Sequence, residues 1–110
     1  MGDESATTSQ SPKVVFYGEG TGTSGAAVTM KTETGGTIQL DVSLPIRNAE
    51  TGELGMMSER FKRGDFLYIS AQNKGEAGSI TCRIEVNGKV IDEATSSGAY
   101  KIASCQGKVP

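Results

Sequence analysis

The sequence predicts an all-β fold: an antiparallel sandwich of seven or eight short strands, stapled by one disulfide. Three observations lead there. Apolar and polar residues alternate at period two, most cleanly over 37–44 and 80–86, the pattern of strands with one buried face. Gly-containing turn signals interrupt the chain at short intervals, and no stretch keeps a 3.6-residue period long enough to suggest a helix. Finally, the only two cysteines, Cys82 and Cys105, lie on either side of Asn87-Gly88, which sits between alternating apolar residues. That dipeptide is the strongest short-range signal for a β-hairpin.

Taken in order, residues 1–12 are small, polar and acidic and end in Pro12. They read as a disordered linker or tail ahead of a single domain over 13–110. A first strand is expected over 14–17, followed by a Gly/Thr/Ser stretch to Gly25. Strands over 26–33 and 37–44 flank Thr34-Gly35-Gly36 and make one hairpin. In the second of these Ile38, Leu40, Val42 and Leu44 are expected to point inward and Gln39, Asp41 and Ser43 outward. Pro45 ends it, since proline has no N–H for a ladder. Residues 47–55 read as an exposed loop and 56–61 as a short edge strand. Lys62-Arg63-Gly64-Asp65 is a turn, and 66–72, apolar on both faces, is a central strand. After a loop over 73–78 come strands 79–86, 89–96 and 100–105.

Ile80, Cys82, Ile84 and Val86 share the buried face of their strand, with Thr81, Arg83 and Glu85 on the other. An even cysteine count fits an oxidising compartment, and a staple suits a core with 5% aromatics and no Trp. Closing the loop of roughly 24 residues between the cysteines contributes about 3 kcal/mol by loss of chain entropy in the unfolded state. The alternative is two reduced, buried cysteines in the cytosol. Strict alternation sets Cys105 out of phase with Tyr100 and Ile102. A bulge, or a position just past the strand end, would accommodate it.

Composition excludes several functions. Eleven basic against thirteen acidic residues give a net charge of −2, and no basic patch interleaved with aromatics points to nucleic acid. Unbroken apolar runs reach only about four residues where a membrane helix needs about 20. No signal peptide is visible, so a disulfide-bonded chain reads as the soluble part of an exported protein whose signal or anchor has been removed. Gly20, Gly22 and Gly25 spell G-x-G-x-x-G, but a dinucleotide-binding loop must open a helix, and AAVTMKTETGG reads as a strand. With no histidine, Ser-His-Asp and Cys-His catalysis are impossible, and two cysteines cannot fill a structural zinc site. Asp92 and Glu93 are adjacent on a strand and point apart, and Glu50 and Glu53 lie in a polar loop with nothing to raise a carboxyl pKa. Asp41 and Asp65 lack a calcium-site spacing. No catalytic residue, metal or cofactor is expected. The one basic cluster, Arg60, Lys62 and Arg63, has two readings: a solvated turn whose Phe61 and Phe66 point into the core, or a contact patch for a protein partner or an anionic lipid headgroup.

SAQNKG at 70–75, SITCRIEVNGKVIDE at 79–93 and TSSGAY at 95–100 followed by Cys105 resemble the MmpS-like family of actinobacterial transport accessory proteins. The likeness runs more weakly from Val14 through Leu44-Pro45, so it spans most of 14–105. It implies an immunoglobulin-like β-sandwich held outside the membrane by one N-terminal helix. The function it implies is to assist a resistance-nodulation-division (RND) exporter of lipids or siderophores, with that exporter and its lipid-like cargo as partners and no enzymatic activity. Three features depart from the family: no membrane helix, Ile46 where an aromatic often follows the LP dipeptide, and the loop extension 47–55. The alternative is a secreted or lipid-anchored sandwich that binds a ligand or surface with no transporter beside it.

Overall fold

A computed structural model describes residues 12–22, 24–48 and 50–110. The proposed linker over 1–12 lies outside the described residues apart from Pro12. Eight strands form two four-stranded antiparallel sheets: β1 (Val14–Gly20), β2 (Ala26–Lys31), β3 (Thr37–Val42), β4 (Met56–Ser58), β5 (Phe66–Asn73), β6 (Ser79–Val86), β7 (Lys89–Ser97) and β8 (Ile102–Lys108). One sheet runs β4-β1-β6-β7 and the other β3-β2-β5-β8. β5 and β8 pack on β6 and β7, and the core lies between them: Phe16, Val28, Leu67, Ile69, Ile80 and Ile84 are buried. The predicted sandwich and its strand count are therefore present.

The Asn87-Gly88 hairpin forms, with both residues at positive φ (52° and 83°), as a type I′ turn requires. Asn87 also ties down the start of β1. Its side-chain Oδ1 accepts the Lys13 N–H at 2.9 Å, and its own N–H donates to the Lys13 carbonyl at 2.8 Å. Cys82 on β6 and Cys105 on β8 form the disulfide, joining the two sheets through the core with their Cα atoms 6.1 Å apart. Such a bond marks an oxidising, extracytoplasmic setting. Beside it β7 and β8 are stitched edge to edge across the sheets. The Gln106 N–H donates to Asp92 Oδ2 at 2.9 Å, and Ser96 Oγ donates to the Ile102 carbonyl at 2.8 Å. Those are backbone groups a sheet edge would otherwise leave to solvent.

Four expectations are corrected. Leu40 is 39% exposed and Ile38 41%, and Val42 is only half-buried. The hairpin register puts all three on the core side, opposite Val28, Met30 and Ala26. Among the strands, however, β3 contacts only β2, and β4, the edge strand of the other sheet, is three residues long. Alternation predicted the face but could not predict that nothing covers it. Second, Cys105 needs no bulge. Ala103 and Cys105 point inward, while Ile102 and Tyr100 are exposed, in unbroken register with β5. The apolar residues of this strand that sequence reading took as inward are the outward ones. Third, β1 continues to Gly20 and β8 runs from Ile102 to Lys108, displaced from the predicted 14–17 and 100–105. Fourth, Phe61 is buried but Phe66 is 44% exposed. Phe66 begins β5 on its outer face, where its ring stacks on Tyr68 with centroids 6.4 Å apart. In the loop 47–55, Arg47 and residues 50–54 are exposed, as expected, while Asn48 is half-buried and Gly55 buried. Ile46 just before it is a core residue. Its N–H donates to the Gly18 carbonyl at 2.9 Å, and its side chain occupies the space a Cβ at Gly18 would need.

Candidate functional site

Because every strand pair is antiparallel, the connections sort onto two ends of the sandwich. One end carries the start of β1, the β2–β3 turn, the 59–65 loop, the Asn87-Gly88 turn and the end of β8. The other carries the β1–β2 and β5–β6 loops, the 98–101 turn and residues 43–45.

The predicted cluster Arg60, Lys62 and Arg63 occupies the first end. Its geometry follows from what lies between the cations. Phe61 is 2% exposed and meets Phe16 edge-on, with ring centroids 5.9 Å apart, so the chain is nailed to the core at the centre of the cluster. The turn after it is tight. The Lys62 N–H donates to Asp65 Oδ2 at 2.8 Å and the Asp65 N–H to the Lys62 carbonyl at 3.0 Å, with Gly64 at φ 86°, the positive φ a type II turn needs at its third residue. The C-terminal tail clamps the loop. The Gly64 N–H donates to the Val109 carbonyl at 2.8 Å, the Val109 N–H donates to the Asp65 carbonyl at 3.0 Å, and the Val109 side chain is buried. Arg60, Lys62 and Arg63 are all exposed, and among the described residues none of them pairs with a carboxylate.

Sequence reasoning missed the company this cluster keeps. Lys13 precedes β1, Lys31 closes β2, Lys89 opens β7 and Lys108 closes β8, so all four stand at the same end. Seven of the eleven basic residues gather there, against the acids Glu33, Glu59, Asp65 and Glu85, the last of them paired with Arg83. At the opposite end Lys74 and Lys101 face Glu19, Asp41 and Glu76, while Arg47, Glu50 and Glu53 belong to a loop that leaves and rejoins the edge of β1 near its middle, between Ile46 beside Gly18 and Gly55 beside Val15. The chain of net charge −2 is thus polarised, with a basic end and an acidic end. A signal existed, since each of the four lysines abuts a strand boundary, but it is readable only once strand directions are assigned.

Other charged groups are committed internally. Arg83 lies on the outer face of β6, its guanidinium 4.2 Å over the Tyr17 ring, Nε 3.0 Å from Glu85 Oε2 and Nη1 3.5 Å from Glu93 Oε2. Burial acts to lower its pKa. The charges of Glu85 and Glu19, with hydrogen bonds to Glu93 and Tyr17, outweigh this and raise it. Its charge is thus engaged by carboxylates of its own surface. Asp92 turns to β8 while Glu93 turns to Arg83, so the two carboxylates do point apart. Asp41 pairs with Lys74 at 3.4 Å. The outer face of the β3-β2-β5-β8 sheet holds an open, shallow depression of about 430 Å³ lined by Thr29, Gln39, Asp41, Ser70 and Gln72. Gly22 and Gly25 lie in the β1–β2 loop, and a strand follows them.

Among the described residues, the buried polar one is Asn73, 1% exposed. Its Nδ2 donates to the carbonyls of Ala77 and Gly98 at 2.9 and 3.2 Å, and its Oδ1 accepts the Gly75 N–H at 3.0 Å. One side chain thus holds two loops together at the acidic end. Asn73, the Asn87-Gly88 turn and Gly98 carry much of the sequence signature at 70–100, and their roles are architectural.

No protein-family model matches the chain, and no curated protein matches it. Among the described residues, no helix is long and apolar enough to cross a membrane.

Proposed function

We propose that this chain is a non-enzymatic, extracytoplasmic accessory domain of the MmpS-like kind, held at a membrane and assisting an RND-type exporter of lipids or siderophores. The observation that carries this reading is the charge segregation. A docking domain needs a surface that contributes little to its own stability and that a partner can find, and clustered like charges steer encounter with an anionic face. Arg60, Lys62 and Arg63 meet both conditions, being rigidly displayed and unpaired with any described acid. The disulfide supports the extracytoplasmic setting, and the resemblance at 70–105 supports the family. The shallow polar depression favours a second reading, a secreted or lipid-anchored ligand-binding module.

The test is complementation. A strain lacking the gene receives the full-length gene product carrying Arg60→Glu, Lys62→Glu and Arg63→Glu. The expected result is a folded protein at normal abundance that fails to restore export. Full restoration removes the patch, and an unimpaired deletion strain removes the accessory reading.

A further inference from the structure

The basic end has the form of a face. Its cations come from five separate segments: the approach to β1, the end of β2, the 59–65 loop, the start of β7 and the end of β8. They are spread across the end of the sandwich and do not converge on one point. The hollow beside them, about 220 Å³, is open and bordered by Glu33 and Asp65 as well as Lys31 and Phe66. A discrete phosphate site would instead converge its donors on one point. Large apolar side chains are also exposed at this end, among them Phe66 and Val90, 44% and 50% exposed, with Ile38 and Met57 on the strands beside them. Pro12 and Lys13 are also here, so the residues that precede them attach at this end.

We infer that the basic end rests on an anionic lipid surface, with Phe66 and Val90 reaching the interface between the headgroups. The inference rests on the membrane-proximal reading above and names the surface involved. Charge complementarity supplies long-range attraction, which each Lys or Arg near an anionic leaflet strengthens. An exposed aromatic ring beside cations suits the boundary between headgroup and acyl chain. The acidic end then points away from the lipid, where the same field repels it.

Cosedimentation of the full chain with vesicles tests this. At low salt the chain is expected to bind phosphatidylglycerol vesicles and not phosphatidylcholine vesicles, with affinity falling at least about tenfold as the salt is raised to about 1 M, where the Debye length is about 3 Å. The variant Arg60→Glu/Lys62→Glu/Arg63→Glu should bind at least about tenfold more weakly, and Phe66→Ser should weaken binding without changing its salt dependence. Absence of binding to anionic vesicles overturns the inference, as does binding that the triple reversal leaves unchanged. Either outcome combined with failed export in the complementation strain means that the patch docks on protein, so the lipid inference falls while the accessory reading stands.

Discussion

The two ends of this sandwich are built by opposite means. At the acidic end one buried side chain, Asn73, fills three hydrogen bonds with loop backbone, and small residues let the loops close over it. At the basic end the turns are pinned by backbone pairs, by Phe61 and by surface side chains such as Asp65 and Asn87 that accept backbone N–H groups, and Arg60, Lys62 and Arg63 project into solvent. Residues of the first kind are expensive to change, because a buried amide without partners keeps its full desolvation cost. Residues of the second kind contribute little to stability, since exposed charges are worth about 0–1 kcal/mol even when paired. The acidic end holds its loops through a buried side chain, and the basic end leaves Arg60, Lys62 and Arg63 outside its supports.

The largest effects should fall on what both ends share, the core. Ile84→Ala removes a fully buried side chain facing the opposite sheet and should cost about 3–4 kcal/mol in urea unfolding. Leu40→Ala, on a strand predicted equally buried by alternation, should cost under about 1 kcal/mol because the side chain is already partly in water. Equal losses at the two positions would mean that β3 is covered.

That pair also shows where the sequence stopped being informative. Period-two alternation specifies which face of a strand a residue occupies, and it placed Ile80, Ile84 and Val86 correctly. Whether that face is covered depends on the length of the strand opposite, here β4 with three residues, and no local pattern in β3 records this. The same limit inverted the reading of Tyr100 and Ile102, whose hydrophobicity suggested burial on a strand whose small residues, Ala103 and Cys105, are the ones inside. The Asn87-Gly88 turn and the disulfide were legible because their chemistry is local or unique. The basic end was legible only as Arg60, Lys62 and Arg63. Lys13, Lys31, Lys89 and Lys108 are isolated in the chain and meet only through strand direction.

The staple joins the two sheets between the ends. Reduction of Cys82–Cys105 should lower stability by about 3 kcal/mol, from the entropy returned to the unfolded chain. It should leave the charge arrangement of the basic end intact wherever the protein remains folded. Intact mass without reductant should be about 2 Da below the reduced value, the two hydrogens lost when a disulfide forms. Two thiols alkylated in the native protein would contradict the staple.

The two ends divide architecture from display, and urea unfolding measures both by one method. Urea unfolding of Asn73→Ala should show a loss of about 2–3 kcal/mol, from three backbone groups and a buried site left unsatisfied. The triple reversal of Arg60, Lys62 and Arg63 to Glu should lie within about 1 kcal/mol of the parent. A small loss at Asn73 together with a large one at the basic end would contradict this division, making the cations part of the architecture rather than a surface held ready for a partner.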